Sequence, residues 1–377
     1  MENNTKIIKK LGKIRESLGK YFIERTEEID LALTALISGT TMLMIGPPGT
    51  AKSQLCRAIA SHIDEVRYFE WLLTKFTTPE EIFGTLDLDE LKKGRFVRKV
   101  EGKLPTAHIA FLDEIFKASS AILNSLLTII NERIYHNDGC PMKVPLITLY
   151  SASNELPDDE SLRALYDRLV IRKVVEPIQD CNNWYELLQK PKEYTAETKL
   201  TLNEIQVLMK TIRSIDASPV INDLIKIRLT LKNKGIEISD RRFKQALDIV
   251  RAYALVRGNL TLRENHLEVL QHVFWEEPEQ INLVRSTIFH VCNPLAAKAT
   301  EYLEVLNEFD KELQKYEDVT PEVIEIYSKI NNMVEDLKKI RDDAKQSRKD
   351  AVVIEKVLMK AEDLRQKITR DIIKISI

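Results

Sequence analysis

The sequence is poor in cysteine. Its four cysteines, Cys56, Cys140, Cys181 and Cys292, lie far apart and none forms a C-x-x-C pair. That spacing excludes a disulfide framework and a zinc-binding cysteine pattern, and it fits a reducing compartment. Long apolar runs are also missing: none approaches the ~20 residues that cross a bilayer. The stretch MENNTKIIKK is polar and lacks the apolar centre of a signal peptide. The expectation is a soluble, cytoplasmic protein without a membrane span. Charge of one sign is absent as well. The formal net charge is −2, so no global field draws nucleic acid or anionic lipid, and contact with nucleic acid would need a local basic patch. Aromatic residues make up only 7%, against 30% charged and 44% hydrophobic, a balance of helix-rich, well-solvated surfaces. There is no Gly/Ser- or Pro-rich linker. A chain of 377 residues has room for two or three domains.

What is present is ordered periodicity. Residues 6–40 read as helices, with apolar spacing at Ile7, Leu11, Ile14 and Leu18. Three short buried strands follow, TMLMIG (from Thr41), IAFLDE (Ile109 to Glu114) and LITLYSASN (Leu146 to Asn154), alternating with apolar helices. That alternation predicts a parallel α/β sheet, with ligands at the C-terminal ends of its strands. From about Cys181 the strands stop. Residues 199–275 read as several helices broken near Pro219, Gly235 and Gly258. Beyond Pro294 three long amphipathic helices are expected. One carries Tyr302, Leu306, Phe309 and Leu313, the next Val323, Ile326, Ile330, Met333, Leu337 and Ile340, and the last Ile354, Leu358, Ala361 and Leu364.

The residues that carry chemistry fall at the strand ends. GPPGTAKS, Gly46-Pro47-Pro48-Gly49-Thr50-Ala51-Lys52-Ser53, sits between a strand and a helix. Backbone N–H groups there, running on to Gln54, would cradle the phosphates of ATP. Lys52 would reach the β- and γ-phosphates and Ser53 would ligate Mg²⁺. The sixth position is Ala51 where the pattern has glycine, which requires negative φ or tolerated strain. FLDE supplies Asp113, able to hold Mg²⁺, and Glu114, able to polarise a water. Asn154 could orient that water, or simply form a turn before Pro157. Arg168 follows an apolar turn, and Arg241 and Arg242 begin a helix where a cation opposes the dipole. On residues alone, surface solvation is the better reading for these arginines.

The strings GPPGTAKS, TTPEEIFG (Thr77 to Gly84), IAFLDEIFKASSAILNSLLTIINER, SASNELP and ALYDRLVIR resemble the AAA+ ATPases of the MoxR branch, and within it the regulatory ATPase variant A subfamily. The resemblance covers about residues 15–275. It implies an α/β AAA+ core over residues 1–180, an all-α lid over 181–280 and a helical arm over 281–377. It also implies a homo-oligomeric ring, a hexamer, with ATP and Mg²⁺ at subunit interfaces. Carried over, Glu114 is the hydrolytic acid, Asn154 resembles sensor 1, and Arg168 resembles an arginine finger acting on the neighbouring subunit. Arg241, or Arg242 beside it, resembles sensor 2, and the segment Tyr21 to Ile23, with Phe22 and Ile23 as its adenine contacts, resembles the one that packs on adenine. Residues 91–103 look like a basic hairpin insert and 133–145 like a second hairpin turning at Asn137-Asp138-Gly139. The implied function is ATP-driven remodelling or assembly of partner proteins, with a von Willebrand factor A domain protein as expected partner. Two alternatives stay open, an ATP-gated scaffold with slow turnover and a nucleic-acid motor. The chain departs from the subfamily after residue 285, where no strand-rich inserted domain is visible, so a decarboxylase partnership does not carry over.

Overall fold

The computed structural model describes residues 2–157, 160–190, 193–313, 315–316, 320–347 and 351–372. In chain order the elements are α1 (Glu2–Tyr21), α2 (Thr26–Ser38), β1 (Thr41–Ile45), α3 (Lys52–Ser61), β2 (Ile63–Asp64), β3 (Tyr68–Leu72), α4 (Pro79–Phe83), α5 (Leu88–Leu91) and β4 (Ile109–Asp113). They continue with α6 (Ser120–Glu132), β5 (Ile134–Asn137), β6 (Cys140–Lys143), β7 (Thr148–Ser153), α7 (Glu160–Arg168), β8 (Ile171–Val174), α8 (Cys181–Gln189), β9 (Leu200–Thr201) and α9 (Leu202–Ser214). The remainder is helical: α10 (Ser218–Asn233), α11 (Asp240–Val256), a 3-10 helix (Glu264–His272), α12 (Ile281–Cys292), α13 (Pro294–Leu313), α14 (Pro321–Gln346) and α15 (Val352–Lys367). Packing divides the chain into one unit of Met1–Ala217 with Ser239–Leu262, and another of Ser218–Ile238 with Arg263–Ile377. The division does not fall at residues 180 and 280, because α8, α9 and α11 join the sheet-bearing unit.

That unit holds a five-stranded parallel sheet in the order β3-β4-β7-β1-β8. β1 and β7 are buried along their whole length, as strands covered on both faces by helices must be; β1 reads as an apolar run, while β7 carries small hydroxyl residues that bond neighbouring backbone, as Ser151 does to the Met42 carbonyl. Each fully buried Leu, Ile or Met contributes about 1.5–3 kcal/mol. Four strands were not expected. β2 and β9 form a short parallel pair, so a strand does occur beyond Cys181, two residues long and held by pairing rather than marked by an apolar run. β3 lies at an edge with only Phe69 buried, and β8 is a four-residue strand inside a charged stretch. Asp30, 2% exposed, ties three helices: Arg15 bonds both its oxygens at 2.5 and 2.8 Å and Arg257 lies at 3.6 Å.

β5 and β6 form the expected hairpin, turning through Asp138 (φ 53) and Gly139 (φ 75), the left-handed pair of a two-residue turn. Residues 91–103 do not form a hairpin ladder. They contain the end of α5, and a single bridge joins Arg98 to Leu86. Asn137 fastens this segment, accepting from the Arg98 N–H at 2.8 Å and donating to its carbonyl at 3.0 Å.

The second unit has no strand among its described residues. Pro219, expected as a break, lies in the first turn of α10, where its missing N–H costs nothing. The three long helices are present. Val323, Ile326, Ile330, Val334, Leu337 and Ile340 of α14 are buried, the i, i+3, i+4 stripe of a helix packed on others. Thr320 caps it, accepting from Val323 N–H.

Candidate functional site

β1 delivers the chain to Gly46, whose φ is 153 and whose added Cβ would stand 2.2 Å from the Val175 carbonyl. Only glycine fits there. The loop closes on α3, whose first turn carries no acid and no side-chain cap, leaving its N-terminal N–H groups for an anion. Ala51 adopts φ 64, ψ 20, so it is strained rather than relaxed by a negative φ. Such a conformation costs an L-residue about 1–2 kcal/mol. Lys52 is 9% exposed, and its Nζ donates to the carbonyls of Gly46 and Pro47 at 2.8 Å each and to Thr50 Oγ1 at 3.2 Å. Burial draws its pKa down, opposed by the charges of Asp113 and Glu114.

The acids lie at the end of β4. Glu114 is held at φ 52, ψ 46, and both its oxygens are engaged. Oε1 accepts from Asn154 Nδ2 at 2.7 Å, and Oε2 pairs with Lys117 at 3.1 Å. Lys117 was not singled out from the sequence, although its i, i+3 spacing from Glu114 was visible. Asp113 accepts from the Glu114 N–H at 3.0 Å. Burial raises the Asp113 pKa and Glu114 adds to the rise, while that N–H and Lys52 oppose it. Asp113 and Ser53 offer hard oxygen donors of the kind Mg²⁺ takes. No group of three or more His, Cys, Asp or Glu able to hold a metal exists among the described residues. A two-donor set suits an ion whose remaining ligands are phosphate oxygens and water.

The arginines stand elsewhere. Thr41 Oγ1, at the start of β1, donates to the Arg168 carbonyl at 2.5 Å. At about 3.3 Å per residue, a five-residue strand separates that point from the phosphate loop by roughly 16 Å. Arg168 Nη1 donates to Ala164 O at 2.5 Å, and its buried Nε has no partner among the described residues. Arg241 donates to Asn131 Oδ1 at 3.2 Å and lies 3.6 Å from Asp167. Arg168 and Arg241 line one cavity of about 350 Å³ with Thr41, Asn131 and Gln245. Burial and Arg241 both lower the Arg168 pKa, against Asp167. Arg242 has a different job. It is 2% exposed and bonds Asp167 Oδ1 at 2.9 Å, which anchors α11 and leaves Arg241 facing the cavity.

Of the adenine candidates, the Phe22 side chain is in the core, 4% exposed, edge-on to Tyr21 at 4.9 Å and tilted against Tyr194 at 6.0 Å. Ile23 is half-buried. The ring at the start of α3 is that of Tyr21, whose hydroxyl accepts from Gln54 Nε2 at 3.1 Å. Tyr194 joins it at 5.1 Å, and its hydroxyl bonds Ser17 Oγ at 2.7 Å and His62 Nε2 at 2.6 Å. Nothing in EYTAETK marked Tyr194 beforehand. The basic run is answered by acids near it: Lys92 by Asp89, Lys93 and Arg95 by Glu90, Arg98 by Glu80 and Lys99 by Asp87.

Residues 9–217 match the family model described as the MoxR domain in the MoxR-vWA-beta-propeller ternary systems, and residues 219–288 match an AAA lid domain. Two uncharacterized proteins of Methanocaldococcus jannaschii are similar almost end to end. One is 44% identical over 94% of this chain and 98% of its own length, the other 42% identical over 95% and 97%. A structural protein of Acidianus two-tailed virus is 29% identical over 58% of this chain and 38% of its own. Among solved structures, a Cytophaga hutchinsonii protein assigned as an ATPase superposes with a TM-score of 0.63 over 78% of this chain and 97% of that one. At 14% identity that likeness shows the fold.

Proposed function

We propose, for a chain that belongs to the MoxR-type AAA+ ATPases, that it hydrolyses ATP with Mg²⁺ at sites shared between subunits of a ring, and uses the cycle to remodel or assemble partner proteins. The observation that carries this reading is the separation of charged groups along one sheet. Lys52, Asp113, Glu114 and Asn154 gather at the C-terminal strand ends, while Arg168 and Arg241 face a cavity at the other end. Within one chain the arginines are too far from the phosphate loop to serve it, so a neighbour's loop is their natural target.

In this mechanism the loop N–H groups and Lys52 hold the β- and γ-phosphates. Ser53 and Asp113 would hold Mg²⁺, which would supply positive charge against the phosphate oxygens. Glu114 orients the attacking water and takes its proton, with Asn154 and Lys117 fixing its two oxygens. A recess of about 490 Å³ beside Glu114 gives water a path. Arg168 of the neighbour supplies the last positive charge, a contribution of about 10³–10⁵ in rate for arginine fingers. The internally paired basic run speaks against a nucleic-acid motor. The name of the matched family supports a von Willebrand factor A domain partner, to be sought by co-purification. No described helix is long and apolar enough to cross a membrane.

Purified protein should turn over ATP. Lys52→Ala should lose nucleotide binding, and Glu114→Gln should keep binding while losing turnover. Absence of turnover in the intact protein, with Lys52→Ala binding as before, would refute the enzyme reading.

A further inference from the structure

Arg25 breaks a local rule and follows a residue that breaks another. It occupies the N-cap of α2 with no side-chain cap bond, where Ser, Thr, Asp and Asn are favoured and a cation opposes the helix dipole. Glu24 before it is a non-glycine residue at φ 54. Local disagreement of this kind gathers at functional positions.

The Arg25 guanidinium is 7% exposed and reaches three backbone carbonyls. Nη2 donates to Glu176 O at 2.7 Å, Nη1 to Glu24 O at 2.9 Å and Nε to Thr50 O at 3.4 Å. Thr50 belongs to the phosphate loop and Glu176 follows β8. No ion pair neutralises Arg25 among the described residues. The charge of Arg25 acts on the nearby carboxylates of Glu24 and Glu28, and it acts as well on the loop that holds Lys52, whose pKa it helps to lower after burial has done most. Glu24 fixes the bracket from the other side. Its carboxylate accepts from Gln179 N–H at 2.8 Å, Asp180 N–H at 3.0 Å and Asn183 Nδ2 at 2.8 Å, pinning the start of α8.

We propose that Arg25 is a positioning residue of the phosphate site, bracing the loop through the Thr50 carbonyl and adding a buried positive charge that favours polyphosphate without touching it. The proposal rests on the reading that this loop binds nucleotide phosphates. It differs from a structural role in one respect: the charge contribution grows with the number of phosphates bound.

The test is equilibrium binding of Mg-ATP and Mg-ADP to intact protein, Arg25→Met, Arg25→Lys and Lys52→Ala, with melting curves of the unliganded forms. Arg25→Met should weaken ATP by about ten-fold or more and ADP by less, so the preference for ATP shrinks. Arg25→Lys should recover part of the loss, because it keeps the charge but not the three-carbonyl reach. Should Arg25→Met fail to fold, Arg25→Gln, which also removes the charge, carries the test, with ATP again weakened more than ADP. The proposal is overturned if ATP and ADP bind the variants as they bind the intact protein, or weaken by one common factor alongside a lowered melting temperature. If the intact protein binds neither nucleotide, the phosphate-loop reading fails first and takes the proposal with it.

Discussion

Among the described residues six non-glycine residues adopt positive φ, and three of them stand at the candidate site: Ala51 (64) in the phosphate loop, Glu24 (54) beside its proposed brace and Glu114 (52), the proposed hydrolytic acid. Strain held at such positions marks sites where the surrounding structure dictates the backbone. Ala51 offers the simplest check. Ala51→Gly relieves about 1–2 kcal/mol of left-handed strain and loosens the unfolded chain by about 0.4–1 kcal/mol. The net expectation is a gain of up to about 1 kcal/mol, seen in chemical denaturation, with nucleotide binding retained. Asp113 gives a pH signature. Burial raises its folded pKa above the ordinary 3.8, so its contribution to stability is present below the unfolded value and lost as pH rises through the folded one. Asp113→Asn should therefore melt higher than the intact protein at neutral pH while losing Mg²⁺-dependent turnover. Mg²⁺ affinity of the intact protein should begin to fall, on acidification, at a higher pH than an ordinary aspartate allows. A Mg²⁺ titration of ATP binding across that range would show it.

At the scale of elements, what could be read beforehand was what sequence periodicity records. β1, β4 and β7 are central strands, and β1 and β4 read as nearly unbroken apolar runs. β3 and β8 are edges of the same sheet, and their partial exposure blurs that signal. The α/β core, helical lid and long C-terminal helices follow from the same periodicities and stand in the structure. The phosphate loop and its acids were legible because each is contiguous in sequence. The pairing of Arg168 with Arg241, and of Tyr21 with Tyr194, depends on tertiary contacts across 73 and 173 positions of the chain, which no local pattern encodes. The basic run looked like a hairpin insert, and the acids that answer it, Glu80, Asp87, Asp89 and Glu90, lie just before it in sequence. Asn137→Ala removes both bonds to Arg98, each worth about 1 kcal/mol. Amide exchange around Arg98 should accelerate while the sheet stays protected. Replacing Lys92 and Lys93 with Ala should leave nucleic-acid binding in a gel shift unchanged, since Asp89 and Glu90 already offset them.

For the whole molecule, the proposed site is incomplete in one chain. One face carries the phosphate loop and acids, another the arginines, and a heterologous, head-to-tail contact brings unlike faces together and closes into rings. ATP turnover per subunit should then rise with protein concentration, whereas nucleotide binding to the loop should not. A variant lacking the arginine should still bind nucleotide. The most direct measurement mixes two inactive proteins, Arg168→Ala, which keeps Glu114, and Glu114→Gln, which keeps Arg168. In randomly mixed rings about a quarter of interfaces would pair an intact acid with an intact arginine. The expected result is that the mixture regains ATP turnover that neither variant has alone. A mixture that assembles yet stays as inactive as its parts would contradict a site shared between subunits.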